Sequence, residues 1–321
     1  MSESESALEV KLGAQAVAVA FVQLAKRVGL AKTVMGLAMR QMFSEKTKRK
    51  AFAGYAPTAH DVFVATFGKS GTNWMMQIAQ QIAWYGDAEF RHIHERVPWP
   101  DSPGPGLVEL DDLSALDGCP TGLRVIKTHL ETEFVPYSEE AKYLTIIRDP
   151  KEVAVSGYWF LGGIFGVLSH LSFDDWFDLV TRSDSLMETW AVHTASFWAW
   201  RDRPNVLVLD YGEVKKEPVR SIQRVAAVMG VELTNAELDK VVERASFAYM
   251  KAHESQFAPP KMPFTGSAPP AKMIRRGETG ASEELLTRAQ QAEIDRRCQA
   301  ELAKLGSDFP YASLFDVVTD A

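Results

Sequence analysis

Four short stretches of the chain combine cations, hydroxyls and an imidazole in patterns suited to handling anions. The first is FGKSGTNW, Phe67–Trp74, where Lys69 supplies a mobile positive charge and Ser70, Thr72 and Asn73 supply side-chain donors. Gly68 and Gly71 give the backbone latitude to turn into a helix near Trp74, and a helix start with unpaired N–H groups attracts anions. The second, VIKTHLE at 125–131, ends an apolar run with Lys127, Thr128 and His129. His129 suits general-base work because an unperturbed imidazole titrates near neutrality. In the third, IIRDPKEVAVSGYWF at 146–160, Arg148 follows an apolar run and Ser156 lies on the helix that Pro150 can start. An arginine fork and a hydroxyl together can bind one phosphate. The fourth, MIRRGETG at 273–280, offers Arg275, Arg276 and the Gly277 N–H to a second anionic group. Each stretch taken alone has a plainer reading. These are an ordinary turn with a surface lysine, a structural histidine, a surface pair of Arg148 with Asp149 or Glu152, and a solvated pair of arginines.

The elements that must position these residues follow from hydrophobic patterning. Apolar, β-branched runs at 62–67, 123–129, 143–150 and 205–212 alternate with helical stretches such as Trp74–Trp84, Lys151–Phe160 and Pro218–Met229. Such runs suit strands buried on both faces of a parallel sheet. The order predicts a three-layer α/β/α fold with a central parallel sheet and ligands at the carboxyl ends of its strands. The first loop ends in the Gly68-Lys69-Ser70 of a nucleoside-triphosphate loop, but that pattern needs a glycine at 63, where Phe63 stands.

The 321 residues, 46% hydrophobic and 24% charged, hold ample material for a packed core. A net charge of −7 argues against general nucleic-acid binding, which needs basic surface. Two distant cysteines, Cys119 and Cys298, form neither a disulfide framework nor a metal-ligand spacing, which fits a reducing, cytoplasmic setting. The acidic start MSESESALEV is unlike a secretory signal, and the longest apolar run, Leu12–Ala25, is too short to span a bilayer, so a soluble chain is expected. Residues 1–55 read as a helical extension before a single domain over 56–321. Between Lys26 and Lys50 the extension is basic and amphipathic, suited to peripheral contact with an anionic membrane or to packing on the domain with its charges solvated. The segment 256–272 is proline-rich and reads as a long surface loop, a type that often covers a site.

In order and spacing the stretches resemble the cytosolic sulfotransferases, which use 3′-phosphoadenosine 5′-phosphosulfate (PAPS) and release 3′-phosphoadenosine 5′-phosphate (PAP). The resemblance rests on KSGTNW at 69–74, KTHL at 127–130, RDPKEVAVS at 148–156, ASFAYMK at 245–251 and RRG at 275–277. It covers about residues 60–311 and implies a nucleotide-kinase-like phosphate loop. It also implies that Lys69, Ser70, Gly71, Thr72 and Asn73 hold the 5′-phosphosulfate, and that Arg148, Ser156, Arg275, Arg276 and Gly277 hold the 3′-phosphate. Trp74 and Phe247 would pack on adenine and Tyr211 would bond its edge. His129 would be the base, with Lys127 beside it and Lys69 following the bridging oxygen, and no metal would be required. The chain departs from the family at Gly68, where a proline is usual, at Asn73 and Ala245, where threonines are, at Ala281-Ser282-Glu283, where D-W-K is usual, and over Glu283–Ala292, where a dimerisation pattern keeps only Thr287.

The acceptor implied is a small molecule with a hydroxyl, less readily an amine. Trp99, Phe134, Tyr158, Trp159, Phe160 and Phe165 are candidates for an apolar, aromatic lining, and several suit a core equally well. Two other readings compete. One is a magnesium-dependent phosphate-loop kinase or NTPase with Asp210 as the metal-side carboxylate. The other is a non-catalytic nucleotide- or lipid-binding protein on the same fold.

Overall fold

The computed structural model describes residues 29–42, 44–101, 107–165, 170–182, 186–259 and 281–319. The four apolar runs become β1 (Asp61–Ala65), β2 (Arg124–Thr128), β3 (Lys142–Ile147) and β4 (Val206–Asp210). All neighbours are parallel, in the order β2-β1-β3-β4. The register runs from Asp61 opposite Arg124 to Ala65 opposite Thr128. Because β1 has β2 on one side and β3 on the other, the chain reverses its direction of travel across the sheet there. The crevice beyond such a switch point is where open α/β sheets bind ligands.

The chain enters through helices α1 (Ala31–Met42) and α2 (Glu45–Ala51). Then come α3 (Thr72–Ala83), α4 (Pro150–Phe165), α5 (Phe173–Thr181) and α6 (Leu186–Trp198). After β4 follow α7 (Tyr211–Lys216), α8 (Pro218–Met229), α9 (Asn235–Arg244), α10 (Phe247–Ala252) and α11 (Arg288–Lys304). The helices read from the sequence at 74–84, 151–160 and 218–229 correspond to α3, α4 and α8. Thr287, the residue kept from the dimerisation pattern, is the N-cap of α11 and forms a capping box with Gln290.

Strand side chains alternate between faces. Val62, Val64, Val125, Leu144 and Leu209 pack against Met75, Ile78 and Ile82 of α3 and Ile222 and Val225 of α8. Phe63, Ile126 and Tyr143 point the other way, where Phe52 from just after α2 lies against them. A third cluster joins α4, α5, α6 and α11 around Trp176 and Trp190. Gly157 permits this packing, since a Cβ there would stand 2.9 Å from the Trp176 ring.

Several cations of the basic N-terminal stretch find acids on the rest of the chain. Lys32 pairs with Asp175 at 3.0 Å and Asp178 at 2.8 Å, and Lys48 with Glu131. Met35 and Met39 of α1 are buried in the cluster around Trp176. Among the described residues no helix is long and apolar enough to cross a membrane.

Candidate active site

The site is built at the carboxyl edge of the sheet, around the end of β1. The backbone leaves β1 at Thr66, takes a left-handed conformation at Lys69 (φ 68°) and again at Gly71 (φ 98°), and enters α3. A Cβ on Gly71 would meet the Tyr211 ring at 3.2 Å, so this position needs glycine for both space and conformation. Gly68 needs neither, because a Cβ there would meet nothing within 4 Å.

Among the described residues no side chain caps the N-terminus of α3, which starts after Gly71. By contrast, Ser172, Asp210, Thr234, Ser246 and Thr287 each cap the helix that follows them. The buried Ser70 hydroxyl has no hydrogen-bond partner among the described residues. An uncapped helix start beside an orphaned buried hydroxyl fits an anionic group, which would satisfy both.

Lys69 and Arg148 bring further charge to this loop. The Lys69 ammonium lies 3.6 Å from the centre of the Phe160 ring. Burial pushes it down to about 7, and the charges of Arg148 and Lys127 add to the effect. Arg148 stands just beyond β3, donates to the Lys69 carbonyl at 3.0 Å and lies 4.5 Å over the Tyr211 ring. It also pairs with Glu152 at 2.8 Å. The plainer pairing considered for Arg148 is therefore present, but it is buried and braces the loop. Lys151 fixes the junction beneath, bonded to Asp295 at 2.6 Å and to the Asp316 carbonyl at 3.0 Å.

Next to the loop, β2 delivers Lys127 and His129. The His129 Nδ1 lies 2.7 Å from the carbonyl oxygen of Thr66, the first residue of the loop. Burial, followed by the Lys127 charge, holds this imidazole well below its usual range. A neutral ring facing a carbonyl must carry its proton on Nδ1, so the lone pair is on Nε2. Lys127 sits 3.2 Å over the Trp99 ring and is lowered by burial to about 7, against the opposing charge of Asp101. Trp99 also meets His129 edge-on at 5.3 Å.

The remaining candidates divide. Trp74 stands edge-on to Tyr211 at 5.8 Å, and its indole donates to the Ala245 carbonyl at 2.8 Å. Phe247 starts α10 two residues later and is 45% exposed as a residue, which leaves it available for stacking. Thr72 lies in the loop but shares a hydrogen bond with Thr66 at 2.6 Å. The Asn73 amide donates to the Phe257 carbonyl at 3.2 Å, which ties α3 to the segment after α10. Ser156 is half-buried on α4. Phe134 lies under Lys48 and Arg49 at 5.3 and 5.2 Å, on the side of α2. Tyr158 is buried in the cluster around Trp176, with its hydroxyl on the Leu171 carbonyl at 3.0 Å, and Trp159 stands edge-on to it. The Phe165 side chain, Arg275, Arg276, Gly277 and most of the proline-rich segment lie outside the described residues. Asp210 is spent as the N-cap of α7, accepting from the Glu213 N–H at 2.9 Å. Asp101 and the Thr66 carbonyl are absent from the sequence candidates, whereas Phe160 belongs to the candidate aromatic run and Glu152 is one of the two acids considered as a partner for Arg148. Asp101 sits two residues from Trp99, and that adjacency was the available signal.

The sulfotransferase-domain family model matches residues 59–306, from just before β1 through α11. The chain belongs to the sulfotransferase family. Mouse sulfotransferase 2A1 is 30% identical to this sulfotransferase over 251 residues, covering 76% of this chain and 84% of that protein. Human sulfotransferase 2A1 is 28% identical over 291 residues, covering 88% of this chain and 96% of that protein. Among solved structures, retinol dehydratase in complex with androsterone and the inactive cofactor PAP superposes with a TM-score of 0.65. It is 21% identical and covers 84% of this chain and 87% of its own. Mouse sulfotransferase SULT7A1 complexed with PAP gives 0.56 at 24% identity, covering 85% and 94%. At these identities the structural likeness bears on the fold, which is the three-layer α/β arrangement expected from the sequence.

Proposed function

We propose that this sulfotransferase takes its sulfuryl group from PAPS and transfers it to the hydroxyl of a small apolar molecule, with His129 as general base. The observation that carries this reading is the His129 Nδ1–Thr66 contact of 2.7 Å, which joins the imidazole to the first residue of the anion-binding loop and leaves its lone pair on Nε2. PAPS would supply an activated sulfuryl group whose departure leaves negative charge on a phosphate oxygen. The orphaned Ser70 hydroxyl, the uncapped start of α3 and the Lys69 ammonium suit its 5′ end. Arg148 and Ser156, with Arg275, Arg276 and Gly277, would hold the 3′-phosphate, and Trp74, Tyr211 and Phe247 the base. His129 accepts the acceptor's hydroxyl proton at Nε2 as oxygen attacks. Lys69 and Lys127 offset the charge that develops, work for which preorganised cations are well suited. The PAP in the complexes of retinol dehydratase and SULT7A1 supports the choice of nucleotide.

Trp99 and Phe160, which pack on Lys127 and Lys69, give the site apolar walls. Relatives named for steroid substrates, such as the guinea-pig 3-beta-hydroxysteroid sulfotransferase at 26% identity, support an apolar acceptor. The test is sulfate transfer from PAPS across steroids, phenols and aliphatic alcohols, with His129→Ala beside the wild type. General-base loss predicts a fall in kcat of roughly 10²–10⁴-fold with PAP affinity nearly unchanged. Near-wild-type turnover in His129→Ala would exclude the assignment.

A further inference from the structure

Among the described residues β2 is an edge strand, and the outward N–H groups of Lys127 and His129 meet no further strand there. The turn at 98–101 supplies both partners. The Lys127 N–H donates to the Pro98 carbonyl at 2.9 Å, and the His129 N–H donates to Asp101 Oδ2 at 3.0 Å. A carboxylate therefore stands where the second carbonyl of a neighbouring strand would be. Trp99 lies between the two anchors, and this places its ring under the Lys127 ammonium and edge-on to His129.

A carbonyl or an amide oxygen would satisfy the His129 N–H equally well, so hydrogen bonding alone does not call for an acid there. The charges around Lys127 supply a reason. Lys69 faces it from the phosphate loop, and His129 and His94 face it as imidazoles. Both imidazoles are held well below their usual range, chiefly by burial, so they stay neutral and offset none of the Lys127 charge. Asp101 is the acid acting on Lys127; burial raises its own carboxyl, and the His129 N–H and the Lys127 charge work against that rise and favour the carboxylate. Its Oδ1 is shut away from solvent.

Resting on the reading of Lys127 and His129 as the transfer machinery, we infer that Asp101 is a positioning residue whose carboxylate both docks the Trp99 turn on β2 and serves as counter-charge to the Lys127 ammonium. The docking role needs an oxygen; the counter-charge role needs an anion. Asp101→Asn keeps the first and removes the second, so it separates them.

The measurement is NMR titration of the full chain labelled with ¹³C-lysine, with Lys127 assigned by the signal that disappears in Lys127→Arg. In Asp101→Asn the Lys127 midpoint should fall by about one pH unit or more, the usual effect of losing a nearby opposite charge. The His129 and Trp99 resonances should stay in place. An unmoved Lys127 midpoint would overturn the inference and leave Asp101 a hydrogen-bond acceptor only. Displaced Trp99 and His129 resonances in Asp101→Asn would also overturn it, since docking would then have failed with an oxygen still present. With PAPS saturating, the alkaline limb of the kcat profile should move to lower pH in Asp101→Asn, and not in the Lys127→Arg background. The titration needs no turnover, so its failure is distinct from that of the proposed function, which falls if His129→Ala stays active.

Discussion

The two ends of the same parallel sheet treat charge in opposite ways. At the amino end, Asp61 and Arg124 open adjacent strands opposite one another and pair at 2.9 Å while buried. The Tyr55 hydroxyl and the Thr58 N–H also donate to Asp61, at 2.6 and 2.8 Å, and Arg124 reaches the Leu110 carbonyl at 2.8 Å. At the carboxyl end, Lys69, Lys127 and Arg148 crowd the strand ends, and the two lysines rest on aromatic rings. The closed end contributes to the fold, whereas at the open end Lys69 and Lys127 are desolvated and Lys69 is repelled by Lys127 and Arg148, with Glu152 beside Arg148 and Asp101 acting on Lys127. Buried ion pairs earn little net stability, but breaking one is costly, so the closed end is where a single change should unfold the protein.

Asp61→Ala should therefore have the largest effect, a loss of about 3–5 kcal/mol by urea denaturation. Nucleotide affinity per folded molecule should stay near wild type. An Asp61→Ala protein of unchanged stability would show that the closed end is not the structural one.

Lys69→Met should do the reverse, raising stability by about 1–4 kcal/mol, the range for replacing buried ionic groups with apolar ones, while abolishing transfer. Burial, with the charges of Arg148 and Lys127, holds Lys69 down to about 7 in the folded chain, below the ordinary 10.5 of a lysine. Between those values the unfolded chain binds the extra proton, so wild-type stability rises with pH across that window. The advantage of Lys69→Met should be greatest below pH 7 and shrink as the pH approaches 10.5. An advantage that does not vary with pH would mean that Lys69 is not desolvated.

The smallest effect sharpens the same contrast. An anionic nucleotide favours charged lysine, so PAP binding near pH 7.5 should draw a fraction of a proton to about one proton from buffer. Calorimetry in buffers of different ionisation enthalpy measures this uptake, and Lys69→Met should reduce it. Zero uptake in the wild type would place both lysines in their ordinary range.

How much of this was legible in the sequence differs between backbone and side chains. The strand at 62–67 was visible because apolar residues buried on both faces form an unbroken run, and the structure ends it at Ala65, where the loop takes over. Lys69, Ser70 and Gly71 were visible because loop chemistry is local. Asn73 and Tyr158 looked equally suited to a site, yet Asn73 bonds the carbonyl of Phe257 and Tyr158 that of Leu171. Those partners lie 184 and 13 residues along the chain, and no pattern in the sequence encodes either contact.

By itself, then, the sequence determined the parallel sheet, the loop and helix that follow β1, and the family to which the chain belongs, because hydrophobic period and motif spacing are properties of neighbours. Only the tertiary structure decided which cations face which rings, that His129 turns Nδ1 toward Thr66, and that Asp101 stands in for a missing strand beside β2. Residues 28 apart, as Asp101 and His129 are, meet only through the path of the intervening chain. A lysine in KSGTNW has an ordinary affinity for protons until the fold removes its water.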